Sequence, residues 1–212
     1  MTQIKICGIR TLDDGLAAVA AGATALGFNF YPPSPRYIEP LRCAHLVAQL
    51  RELAAGVTLV GVFVNADLAE VRRVLTLCGL DQAQLSGDEP PEHIAALGGR
   101  AFKAIRPIEL SAARQAAASY ARRAPPALLI DAAAGGKFGG SGQTANWEIA
   151  AALARRMPVL LAGGLTPDNV AEAIAAVQPW GVDVASGVES APGSKDPARM
   201  QAFVHAVRTA SR

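Results

Sequence analysis

Two of the side chains able to move protons in this 212-residue sequence, Cys7 and Asp131, each close a run of strand-forming residues. Cys7 sits in Ile4-Lys5-Ile6-Cys7-Gly8-Ile9-Arg10, where side chains alternate and a glycine ends the run. Asp131 ends the apolar run that begins at Ala127. A thiolate accepts a proton and a carboxylic acid donates one, so the two on opposite sides of a substrate form a proton-shuttling pair. Asp131 as a loop-anchoring or helix-capping carboxylate is an equally good reading of its position alone.

Ligand-holding features are also visible. Gly163-Gly164 and Ser186-Gly187 each follow a strand-like run near the C-terminus. Backbone N–H groups at such turns hold phosphate when they follow the seventh and eighth strands of a barrel. Lys137 and Lys195 lie nearby in sequence and read as solvated loop lysines. Arg36 stands in Tyr31-Pro32-Pro33-Ser34-Pro35-Arg36-Tyr37, where three prolines hold the backbone extended, and its planar fork matches a carboxylate.

The elements that must position these groups alternate along the whole chain. Strand patterns cover 4–7, 25–30, 58–64, 83–86, 101–105, 127–131, 158–162 and 181–185. Helical patterns lie between them, with Thr11, Asn146, Thr166-Pro167 and Asp196-Pro197 as start signals. Eight strand–helix units without a linker or composition break predict an α/β fold, a single-domain (β/α)₈ barrel over residues 1–212. Lys5, Cys7, Asn29, Asn65, Gln84, Ser86, Lys103, Asp131 and Asp183 recur near strand ends, which predicts a polar set facing inward at one mouth. Lys5, two residues below Cys7, then needs a buried carboxylate such as Asp183. Residues 132–145 hold five glycines and read as a mobile loop that closes over ligand.

Composition excludes several classes. Lys+Arg 20 against Asp+Glu 18 is too even for a nucleic-acid or membrane-surface protein. No apolar run reaches the roughly 20 residues that cross a bilayer, and no signal region opens the chain, so a cytoplasmic location is expected. Cys7, Cys43 and Cys78 are too far apart in sequence for a CxxC pair. Cys43 and Cys78 fall on apolar helical faces and read as inert core thiols, and the three histidines do not cluster with carboxylates, so no metal is expected.

The motifs KICGIR, GFNFYPPSPRY, VGVFVN, QLSGDE, LLIDA followed by GGSG, LAGGLTPDNV and VDVASGVESAPGSKD occur in this order along nearly the whole chain. Together they resemble the phosphoribosylanthranilate isomerases of tryptophan biosynthesis. The resemblance implies a (β/α)₈ barrel, no cofactor, and an Amadori rearrangement of a small phosphorylated substrate by a monomer or homodimer. It also implies roles: Asp131 as the acid that opens the ribose ring, and Cys7 as the base at ribose C2. Arg36 would take the anthranilate carboxylate, Asp183 the anthranilate amine or a sugar hydroxyl, and Gly163, Gly164, Ser186 and Gly187 the phosphate. Two positions depart from the family pattern: Ser86 replaces a histidine, and Asn146 an aspartate. Rival readings are a flavin- or other phosphate-binding barrel, and the sugar-isomerising barrel of histidine biosynthesis, which uses two aspartates instead.

Overall fold

A computed structural model describes residues 1–54, 56–132 and 146–211. The first half runs β1 (Gln3–Cys7), α1 (Leu12–Ala21), β2 (Ala25–Asn29), α2 (Pro40–Leu53), β3 (Thr58–Phe63), α3 (Leu68–Leu77), β4 (Gln82–Leu85) and α4 (Pro91–Ala96). The second runs β5 (Ala101–Ile105), α5 (Leu110–Tyr120), β6 (Leu128–Ile130), α6 (Trp147–Ala154), β7 (Val159–Leu161), α7 (Val170–Val177), β8 (Gly181–Val184) and α8 (Pro197–Ala210). The eight strands pair in parallel from β1 round to β8, and β8 closes on β1. The barrel expected from the alternating pattern is the fold observed.

Two apolar layers hold it together. The larger lies between strands and helices, where residues such as Ile4, Ile6, Leu26, Phe28 and Phe203 are fully buried. The smaller fills the barrel axis with Val60, Phe102, Ala104, Leu129, Leu160 and Ala162, and Trp180 packs against it. Side chains alternate across a strand, so residues two further along an inward series reach the C-terminal mouth. Lys5 and Cys7, Gln84 and Ser86, and Leu129 and Asp131 are such series.

The local signals mostly hold. Thr11 accepts a hydrogen bond from Asp14 N, Gly22 ends α1 at φ 108°, and Asp196 accepts from the N–H groups of Ala198 and Arg199. Asn146 caps α6 as an aspartate would, accepting from Ile149 N. Thr166-Pro167 does not start α7, whose N-cap is Asn169. Asn169 bridges the intervening turn instead, accepting from Thr166 N and donating to Gly164 O. Between β8 and α8 the chain forms a short 3-10 turn (Ser186–Val188) and an unexpected hairpin of β9 (Glu189–Ala191) and β10 (Ser194–Lys195).

Two members of the expected inward polar set lie elsewhere. Phe102 and Ala104 occupy the barrel axis, so Lys103 between them points outward. It donates to Glu89 Oε2 at 2.6 Å and lies over the Tyr120 ring. Asn65, at φ 53°, accepts from Asp88 N and ties the loop after β3 to the loop after β4. Among the described residues no helix is long and apolar enough to cross a membrane. The glycine-rich loop expected to close over ligand, with Lys137, lies outside the described residues apart from Ala132.

Candidate active site

The C-terminal mouth holds an open, solvent-connected cavity. Cys7, Arg36, Asp131, Asp183, Gly163, Gly164 and Ser186 all line it. Gly187, the remaining residue singled out in the sequence, borders an adjoining groove that shares Gly164, Leu165 and Ser186 with the cavity. One ligand can therefore run from the mouth into the groove.

At one side of the mouth, Cys7 ends β1 with only 8% of its surface exposed. Burial pushes its thiol above the ordinary range, although Lys5 beneath it opposes that shift. Lys5 is buried and donates to Asp183 Oδ1 at 2.8 Å, the partner expected for it. Burial works against the Lys5 charge, but Asp183 and Cys7 outweigh it and hold the ammonium above its ordinary value. Gly27 on β2 lies so close that a Cβ there would stand 2.7 Å from Cys7 Sγ. The thiol is thus held by a cation below and bare backbone beside it.

Asp131 follows β6, three strands round the barrel from β1 by way of β7 and β8. Its Oδ1 accepts from Ala132 N at 2.8 Å. Burial raises its pKa, and that N–H together with the Arg106 guanidinium pulls the other way; burial wins. A carboxyl shifted upward is better able to hold a proton for donation near neutral pH.

Arg36 comes from the proline-rich loop after β2 and crosses directly over Gly8. A Cβ on Gly8, which lies at φ 84°, would meet Arg36 Cδ at 2.7 Å. One edge of the guanidinium is already engaged: Nε and Nη2 donate to Glu189 Oε1 and Oε2, each at 2.8 Å. Lys195 Nζ donates to the same Oε1 at 2.9 Å and to Ala185 O. Lys195 is therefore buried in an ion network, and the expectation of a solvated loop lysine is wrong. It is the hairpin, pairing Lys195 with Glu189 across β9 and β10, that turns both side chains inward. Burial alone would raise the Glu189 pKa, but Arg36 and Lys195 hold it below the ordinary range.

Glycine shapes the phosphate-type loops. Gly163 and Gly164 lie at φ 87° and 61°, where other residues are strained. A Cβ on Gly187 would fall 1.9 Å from Leu165 O, so the loop after β8 rests directly on the loop after β7. Arg199, at the start of α8, borders the same groove and donates to Glu189 O at 2.6 Å.

Sequence reading missed Glu189, Lys195 and Arg106 as participants. Arg106 lines the cavity, donates to Ser86 O and stands 3.8 Å from Asp131 Oδ2. Its signal was parity, because 102, 104 and 106 form one inward series and 103 does not. Pro192-Gly193 between Glu189 and Lys195 was a hairpin signal. Ser86, where the resembled family has histidine, accepts from Gln84 Nε2, while Gln84 Oε1 is buried with no hydrogen-bond partner among the described residues. Cys43 and Cys78 are buried free thiols as expected, with the two side chains in contact between α2 and α3.

Comparison with known proteins agrees with this geometry. Residues 4–206 match the family model of N-(5'phosphoribosyl)anthranilate (PRA) isomerase. An N-(5'-phosphoribosyl)anthranilate isomerase of Roseiflexus sp. (strain RS-1) is 49% identical, with 100% of both chains covered. The crystal structure of phosphoribosyl anthranilate isomerase from Thermotoga maritima superposes with a TM-score of 0.88 at 35% identity, covering 99% of this chain and 100% of that one. Another solved isomerase, in complex with reduced 1-(o-carboxyphenylamino)-1-deoxyribulose 5-phosphate, gives 0.85 at 34% identity, covering 99% and 100%. With its closed eight-strand barrel and near-complete match, this chain belongs to the N-(5'-phosphoribosyl)anthranilate isomerase family.

Proposed function

We propose that Cys7 and Asp131 are the base and acid with which this isomerase converts N-(5'-phosphoribosyl)anthranilate to 1-(2-carboxyphenylamino)-1-deoxyribulose 5-phosphate, a step of tryptophan biosynthesis. The supporting observation is that both line one cavity from separate strands of the barrel. The phosphate lies over Gly163, Gly164, Ser186 and Gly187, where backbone N–H groups and the close loop contact give an anion a rigid seat. The anthranilate carboxylate meets the free end of the Arg36 guanidinium, because Glu189 occupies the other edge. Asp183, fixed by Lys5, accepts from the anthranilate amine or a sugar hydroxyl.

Asp131 gives its proton to the ribose ring oxygen as the C1–O bond breaks, and the nitrogen lone pair forms the C1=N bond of a protonated Schiff base. The Cys7 thiolate then takes the proton from C2, and the C–H electrons become the C1=C2 bond of an enolamine. Protonation at C1 and loss of the C2 hydroxyl proton give the ketone, so the rearrangement needs no net proton and no redox partner. Carboxyl and thiol each contribute a factor of about 10²–10⁴.

Turnover is read from the decay of anthranilate fluorescence on adding enzyme to freshly prepared phosphoribosylanthranilate. Cys7→Ser places an alcohol that scarcely ionises at the base position, so kcat falls by about 10² or more while substrate still binds. Near-wild-type turnover by Cys7→Ser would remove the thiol from the mechanism.

A further inference from the structure

Glu189 does not line the cavity, yet it is tied to both ends of it. Its carboxylate accepts from Arg36 Nε and Nη2 on one side and from Lys195 Nζ on the other. Lys195 continues to Ala185 O, one residue before the loop that begins at Ser186. Arg36, Glu189 and Lys195 are all buried, but only Arg36 of the three borders the cavity. The hairpin that carries Glu189 also packs on the loop that carries Arg36. A Cβ on Gly193 would stand 2.6 Å from Pro35 O, and Arg10 Nη1 donates to that same oxygen.

This geometry leaves the guanidinium little freedom. A bidentate carboxylate fixes both the position and the plane of an arginine. The side edge faces Glu189, so the end formed by Nη1 and the outer N–H of Nη2 is the donor pair left for a ligand. Arg36 and Lys195 against Glu189 also leave one net positive charge beside the mouth. An arginine without such an anchor would have to be ordered each time a ligand bound, at a cost in affinity.

We infer that Glu189 is a positioning residue that acts through Arg36 to set the enzyme's preference for a substrate bearing a carboxylate on its aromatic ring. The inference rests on the assignment of Arg36 to the anthranilate carboxylate. Glu189 touches no reacting atom. Its contribution through Arg36 favours substrates that carry the group Arg36 grips, and that separates it from a residue needed only for folding.

The test compares kcat/KM for two substrates, with product separated from its isomeric substrate by liquid chromatography before it is quantified. One is phosphoribosylanthranilate; the other is the condensation product of aniline with ribose 5-phosphate, which lacks the carboxylate. The ratio of the two values is the carboxylate preference. In Glu189→Gln the ratio falls by about 10-fold or more, the scale of a lost charged hydrogen bond. Any loss shared by both substrates, such as one passed through Lys195 to the loop at Ser186, cancels in the ratio. Glu189→Asp keeps the buried charge balance and the fold, but its shorter side chain cannot hold Arg36 and Lys195 together, so the ratio falls there too. Arg36→Ala abolishes the preference, and adding Glu189→Gln to it lowers the ratio no further.

Equal losses on both substrates would make Glu189 a scaffold residue and overturn the inference. A wild-type ratio in Glu189→Asp, with the preference lost in Arg36→Ala, would overturn the role of Glu189 alone. A wild-type ratio in Arg36→Ala would overturn the carboxylate assignment of Arg36, and the role of Glu189 with it.

Discussion

Lys5 and Asp183 are register partners on the adjoining strands β1 and β8, and their side chains meet at 2.8 Å inside the barrel. Both are buried, and Cys7 stands two residues above Lys5 on the same inward series. The pair closes the floor of the candidate site and is the nearest source of positive charge beneath the thiol.

Replacing Lys5 with Met leaves Asp183 buried without its cation. Breaking a buried pair in this way costs about 3–5 kcal/mol, which urea unfolding will show. Lys5 is also the chief influence holding the Cys7 pKa down against burial. In Lys5→Met the alkaline limb of kcat/KM should therefore move to higher pH. Adding Asp183→Asn should recover stability without recovering activity.

The pH profile of the wild type follows from Cys7 and Asp131 together. The proposed mechanism requires a Cys7 thiolate and a protonated Asp131, while burial raises both pKa values. With the thiol pKa above that of the acid, only a minority of molecules hold this pairing. kcat/KM should still be bell-shaped, with an acid limb from Asp131 above the ordinary carboxyl range. The alkaline limb, from Cys7, should lie above the ordinary thiol range. Limbs at ordinary carboxyl and thiol values would contradict the burial found here.

Under the proposed mechanism Asp131→Asn should lower kcat by about 10²–10⁴, since an amide has no acidic proton to give the ring oxygen. Its effect on stability has the opposite sign. A carboxyl whose pKa is raised in the folded protein stabilises that state when protonated, and stability falls as pH rises from the unfolded value through the folded one. Asn removes that loss. The melting temperature of Asp131→Asn should exceed wild type at pH 8, and the difference should shrink towards pH 4.

Gly187→Ala tests the seat for phosphate. The new methyl would lie 1.9 Å from Leu165 O, an atom of the backbone that cannot rotate aside. The loops after β7 and β8 must part, at a cost of about 1–3 kcal/mol. KM should rise by about 10-fold or more, and inorganic phosphate should no longer compete with substrate. An unchanged inhibition constant for phosphate would place the anion elsewhere.

Glu89 is expected to matter for stability and not for chemistry. It accepts from Asn65 N, Gly87 N and Lys103 Nζ, joining the loops after β3 and β4 to β5 outside the cavity. Glu89→Gln breaks a buried pair and should cost about 3–5 kcal/mol in unfolding free energy. kcat measured well below the melting temperature should stay within a factor of about 2.

Much of this was legible in the chain alone, because its signals are local. Alternating periods, caps such as Thr11 and Asp196, and glycines at strand ends depend on near neighbours, so they announce the barrel and its order. Period two also placed Cys7 above Lys5. The same rule, counted one residue out, put Lys103 inside and overlooked Arg106. Pairings at long range had no such signal. Arg36 and Glu189 are 153 positions apart, and only barrel closure and the β9–β10 hairpin bring them together. A fork that looks free in sequence is half engaged in the fold, and a lysine that looks solvated is buried against a carboxylate. Sequence determined which groups stand at the mouth, since strand direction and side-chain parity are properties of the local backbone. Tertiary structure alone decided which charges neutralise one another and how deeply each is buried, because both depend on the atoms that other strands bring within hydrogen-bonding distance.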